Sequence, residues 1–189
     1  MFPVAHPKVI QRARQIVAYN PIFLDTETTG FSPTDVVIEV GVVDLNGNTL
    51  YQSLVKPNIP IPPNSILIHH ITDEMVADAP SWKDIWQDLQ AVLKGRFVGM
   101  YNAKFDLRMM KQTHQQYWED WPLDDKYFFC VMRLYAAFFG EMSRRGREYR
   151  LHKLEEARIA CGIPLPQPHR ATDDAVITAE LFKYIANYQ

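Results

Sequence analysis

Two β-rich runs flank a tight-turn signal in "VVIEVGVVDLNGNTLYQSLVKP", residues 36–57. Asn46-Gly47-Asn48 between them specifies a hairpin, because such residues reach the positive φ that a short hairpin turn requires. The preceding "PIFLDTE", residues 21–27, reads as a buried strand, so three strands open the fold. Strand and helix then alternate. Ser81 caps a predicted helix through "WKDIWQDLQAVL", with Trp82, Ile85, Trp86, Leu89, Val92 and Leu93 along one face. "RFVGM" returns as a short strand, and Asn102 caps a helix running to about Gln116. This order predicts one α/β domain built on a mixed sheet.

The flanking segments fill in the outline. Val9, Ile10, Ala13, Ile16 and Val17 recur at helical spacing, which predicts an N-terminal helix ending near Asn20 and Pro21. The proline-rich "NIPIPPNSILIHHITDEMV" reads as a shaped loop, since its prolines remove backbone donors. "KYFFCVMRLYAAFFGEM" is apolar enough to be buried and reads as mostly helical. A helix in "LHKLEEARIACG" stops at Gly162 and Pro164, and a final helix is capped by Thr172.

A chain of 189 residues, 47% hydrophobic, suits one domain rather than two. Twenty Lys and Arg against 22 Asp and Glu leave a net charge of −2, so any nucleic-acid contact must be local. Cys130 and Cys161 have neither metal spacing nor a disulfide framework and read as buried thiols in a reducing compartment. No run approaches the roughly 18 apolar residues of a membrane span, and the N-terminus lacks the pattern of a secretory signal. These features predict a cytoplasmic protein with no membrane partner.

The chemistry lies in the acids. Residues two apart in a strand share a face, so Asp25 and Glu27 project together where the apolar run ends. Asp106 shares a helical face with Met109 and Met110, and an acid on an inward stripe is costly unless paired or metal-bound. Asp174 falls in the first turn of the last helix, with His169 in the loop before it. Each alone has a plain structural explanation: a solvated strand end, or an acid complementing a helix dipole. Together they form an all-oxygen set beside one histidine, which suits Mg²⁺ or Mn²⁺. Four carboxylates exceed the charge of one divalent ion, whereas two ions would balance them and form an arrangement known for phosphodiester cleavage.

At this point "DTETTG", "NAKFD" and "HRATDDA", in that order and with "IHHIT" between the first two, resemble the motifs of the DnaQ-like 3′–5′ exonucleases, the histidine-containing branch of the DEDD superfamily. The resemblance runs from about Pro21 and divides the chain into an N-terminal helical extension, residues 1–20, and an exonuclease domain, residues 21–189. It implies a ribonuclease H-like α/β fold with a mixed five-stranded sheet flanked by helices. It also implies that Asp25 bridges two ions, Glu27 and Asp174 hold the one that activates water, and Asp106 helps hold the other. His169 would be the general base, and the product a nucleoside 5′-monophosphate.

The same resemblance places Thr28, Phe31, His69, Ile71 and Asn102 with the substrate-binding positions. Phe31 either wedges against a base or closes the turn as a core residue; His69 either touches the terminal nucleotide or is a loop histidine. Two departures matter. Tyr101 stands where relatives often carry histidine, and the chain ends at Gln189 without the tail by which the bacterial proofreading subunit holds its polymerase. A stand-alone enzyme is expected, polymerase association being the lesser alternative.

Arg144, Arg145, Arg147 and Arg150 either track a phosphate backbone or form a solvated loop. The substrate expected is single-stranded DNA. RNA is the alternative, because acceptance of a 2′-hydroxyl depends on contacts that no motif encodes. A catalytically idle module binding nucleic-acid ends or a polymerase is disfavoured, since every catalytic position holds the expected residue type.

Overall fold

A computed structural model describes residues 3–118, 120–164 and 169–189. Among them, β1 (Ile22–Thr28), β2 (Val37–Asp44), β3 (Thr49–Leu54), β4 (Val98–Met100) and β5 (Phe128–Cys130) form one sheet in the order β3-β2-β1-β4-β5. β1–β2 and β2–β3 pair antiparallel, while β1–β4 and β4–β5 pair parallel. The mixed ribonuclease H-like sheet is therefore as the sequence predicts, including the hairpin at Asn46-Gly47-Asn48.

Alternation along β1 divides the core. Ile22 and Leu24 face a cluster with α4 (Trp82–Leu93) and α5 (Ala103–His114), whereas Phe23 faces one with α6 (Val131–Phe139) and α8 (Ala171–Asn187). α1 (Pro7–Val17) lies on the α8 face and buries Ala13 and Ile16 there. α4 begins with a capping box in which Ser81 and Asp84 satisfy each other's backbone donors. No helix among the described residues is long and apolar enough to cross a membrane.

Several local expectations are corrected. The proline-rich segment contains two short helices, α2 (Pro63–His69) and α3 (Asp73–Val76). Pro63 starts α2, where a missing N–H leaves no bond unmade. The apolar segment 126–142 is mostly helical through α6, as expected, but its residues 128–130 form strand β5, because pairing with β4 outweighs local preference there. Asn102 occupies the cap position of α5 without a side-chain cap bond. α8 begins one residue before Thr172, with Arg170 as its cap residue. Cys130 and Cys161 are free and half-buried rather than fully buried; burial pushes the Cys161 thiol up to about 11. α7 (Leu154–Ala160) ends just short of Gly162, as expected.

Candidate active site

The alternation that splits the core also builds the site. Asp25 and Glu27 follow Phe23 onto the α8 face, while Thr26 follows Leu24 onto the α5 face. On the α8 side, one oxygen each from Asp25, Glu27 and Asp174 lie within 4.8 Å of one another. On the α5 side, the Thr26 hydroxyl donates to Asp106 Oδ1 at 3.0 Å. The four acids thus reach one cleft at the carboxyl end of β1, from both layers of the fold.

Asp106 and Asp174 are buried, and Asp25 and Glu27 open partly onto the cleft. Burial holds the Asp25 carboxyl well above its ordinary value, and repulsion from Asp106, Glu27 and Asp174 adds to the effect. Glu27 is pushed up to about 9, by burial first and then by Asp174 and Glu39, with Arg170 pulling partly back. Burial raises Asp106 to about 7 against the opposing hydrogen bond from Thr26. Among the described residues Arg170 offsets part of this repulsion at Glu27, and an all-oxygen set of this kind fits a hard divalent cation.

His169 lines the same cleft, with Nδ1 3.9 Å from Asp174 Oδ2 and the side chain 45% exposed. Its backbone is left-handed, at φ 53°. Thr28, Phe31, His69 and Asn102 also line the cleft. Phe31 is 72% exposed and packs against Phe105, with ring centroids 5.5 Å apart, so it does not close the turn as a core residue. Arg108 reaches the Phe31 carbonyl at 3.2 Å, which ties the turn to α5. His69 is buried in α2, and its Nδ1 accepts the Ile71 N–H at 3.0 Å.

Ile71 is a correction. It is fully buried with Ile38, Ile61 and Val76 and does not reach the cleft. An apolar side chain in that loop is held by the core beneath it, so Ile71 anchors the segment that carries His69. Among the four loop arginines, Arg150 is tied at 3.1 Å to both Glu141 and Glu156, while Arg144, Arg145 and Arg147 are exposed.

Some cleft residues had no clear signal in the sequence. Phe105 and Thr26 sit inside the motifs beside the acids, where proximity alone could have nominated them. Ser65 and Leu154 come from segments with no motif. Ser65 donates to the Thr29 carbonyl at 2.7 Å and fastens α2 to the end of β1. Tyr101 lines the cleft and donates to the His152 carbonyl at 2.8 Å, so the departure at this position joins the cleft wall to the segment leading into α7.

A ribonuclease H-like sheet carrying four acids and a histidine at one cleft defines a nuclease. The chain belongs to the exonuclease family, whose RNase T-type model matches residues 22–182, and within it to the DnaQ-like 3′–5′ exonucleases. It is 34% identical over 192 residues to an uncharacterized exonuclease of Escherichia phage 186, covering 97% of this chain and 96% of that one. It is 32% identical over 163 residues to the DNA polymerase III subunit epsilon of Treponema pallidum, covering 84% and 72%. Exonuclease X, solved with 5′-overhanging duplex DNA, superposes with a TM-score of 0.65 at 26% identity, covering 88% of this chain and 90% of that one.

Proposed function

We propose that this exonuclease removes nucleoside 5′-monophosphates from the 3′ ends of single-stranded DNA, using two divalent ions, Mg²⁺ or Mn²⁺, held by Asp25, Glu27, Asp106 and Asp174. The observation that carries the reading is the convergence of these acids from two layers of the fold, with burial and mutual repulsion raising three of them. Such an arrangement is costly unless cations complete it. Bound ions would supply Lewis-acid stabilisation of the charge developing on the phosphate and on the departing 3′ oxygen.

The chain's own groups do the rest. His169 projects into the cleft beside Asp174 with enough exposure to meet a water, and takes its proton as general base. Phe31 and Phe105 present aromatic faces at the cleft mouth, which suits stacking on the bases of an unpaired strand. Thr28, Asn102 and His69 line the cleft, which supports their assignment to the 3′-terminal nucleotide, Thr28 to its sugar. Kinship with polymerase III epsilon subunits keeps polymerase association as a second role that this cleft does not require.

The test is digestion of matched DNA and RNA oligonucleotides, labelled at either end, with and without Mg²⁺ or Mn²⁺. Metal-dependent release of mononucleotides from the 3′ end, faster on single-stranded DNA, is expected. Preference for RNA would reassign the substrate, and metal-independent turnover would overturn the mechanism.

A further inference from the structure

The first turn of α8 rests directly on β2, and two residues of one face of that strand receive it. A Cβ on Gly41 would come within 2.3 Å of Thr172 N and 2.5 Å of its Cα, so only glycine lets the helix end press on the sheet. Two residues earlier, Glu39 is 7% exposed. Its carboxylate accepts the Arg170 Nε–H at 3.0 and 3.1 Å on its two oxygens, and Arg170 Nη2 also contacts Oε1. The Ala171 N–H donates to Oε2 at 2.9 Å. In the β1–β2 ladder Gly41 lies opposite Asp25 and Glu39 opposite Glu27. The seat of α8 is thus one strand away from the acids.

We propose that Glu39 is the positioning residue of His169: by holding the Arg170 guanidinium and the Ala171 N–H together, it fixes the direction in which the left-handed His169 enters the cleft. A histidine keeps a positive φ only where its surroundings impose it, and the next two residues are the ones Glu39 grips. The inference rests on His169 being the general base.

Two other roles fit less well. Both Glu39 oxygens are engaged by Arg170 and Ala171, which disfavours a fifth metal ligand. With Glu39 buried but the Arg170 side chain 38% exposed, desolvation of the carboxylate and solvent screening of the guanidinium leave the pair little net stability to contribute. A neutral acceptor would satisfy Ala171 equally well. What the charged fork adds is geometry, because a bidentate pair fixes orientation as well as distance.

The experiment compares Glu39→Gln and Arg170→Lys, each alone and in a His169→Ala background. Single-turnover nucleotide release from a 3′-labelled DNA oligonucleotide is measured, with Mg²⁺ half-saturation and melting temperature. Glu39→Gln is expected to slow turnover about 10- to 100-fold while KM and Mg²⁺ half-saturation move less than about threefold. In the His169→Ala background the same change should cost less than about twofold, because the group it positions is already gone. Arg170→Lys, which keeps the charge but loses the fork, should show a smaller loss with the same dependence on His169.

Near-normal turnover in Glu39→Gln, or equal losses in both backgrounds, would overturn the assignment, and a large Mg²⁺ shift would make Glu39 a ligand instead. Should Glu39→Gln not fold, Arg170→Lys decides by the same comparison. Full activity in His169→Ala alone would remove the base and this proposal with it, whereas an inactive His169→Ala beside an active Glu39→Gln removes the proposal only.

Discussion

Thr26 donates its hydroxyl to Asp106 across 80 positions of sequence, from the face of β1 opposite to that carrying Asp25 and Glu27. One strand end therefore serves both halves of the acidic cluster, two acids directly and the third through a hydroxyl. Thr26→Val keeps the shape and removes the donor. Loss of a hydrogen bond to a buried carboxylate costs about 1.5–3 kcal/mol of interaction, so turnover should fall roughly 10- to 150-fold with a raised Mg²⁺ requirement. Unchanged Mg²⁺ dependence would show that Asp106 needs no such support.

The raised carboxyls make a prediction about the metal-free protein. A carboxyl whose pKa is higher folded than unfolded binds its proton more tightly in the native state, so stability falls as pH rises through the interval between the two values. For Glu27 that interval runs from its ordinary 4.5 to about 9. Without divalent ions the melting temperature should decline between about pH 7 and 9, above the interval in which His69, His114 and His152, held below 6.5 by burial, add stability as pH rises, and saturating Mg²⁺ or Mn²⁺ should remove most of the decline. A metal-free protein whose melting temperature is flat or rising over this range would contradict the cluster's electrostatics.

Asp25→Asn removes the acid that feels all its neighbours. Turnover should disappear, and at pH 8 without metal the variant should melt above the wild type, because a source of repulsion has gone. Calorimetry with and without Mg²⁺, beside the turnover assay, checks both halves of this expectation.

His169→Ala should fold, bind metal and lose about 10²- to 10⁴-fold in rate, the usual worth of a general base. Its side chain is 45% exposed, so stability should be little changed. Turnover near the wild-type rate would refute its role.

Phe31→Ala tests the cleft mouth. The side chain is 72% exposed, so melting should not change, while oligonucleotide binding should weaken by about 1–3 kcal/mol, roughly 5- to 150-fold. Replacing Arg144, Arg145 and Arg147 together by serine tests the exposed arginine loop: if it tracks phosphates, the salt dependence of binding should flatten by about 0.7 in slope for each phosphate no longer neutralised.

The identity of the acids was legible in the sequence because their placement follows from local rules. A period of two puts Asp25 and Glu27 on one face, and a helix start puts Asp174 in the first turn, with His169 in the loop just before it. The strand order around Asn46-Gly47-Asn48 followed from turn chemistry in the same way. Family resemblance then supplied the roles, which periodicity cannot assign.

Only tertiary structure decided what meets those residues. Nothing local to Glu39 announces a partner 131 positions away, and nothing local to Ile71 distinguishes a core anchor from a cleft contact. β5 and the true start of α8 likewise depend on neighbours: β5 becomes a strand by pairing with β4, and the helix begins where Glu39 accepts its Ala171 donor. Chain-local preferences are set by steric and hydrogen-bonding limits within a few residues. Which distant groups share a low-dielectric cleft is set by how the layers pack, and that packing turns separate carboxylates into one site.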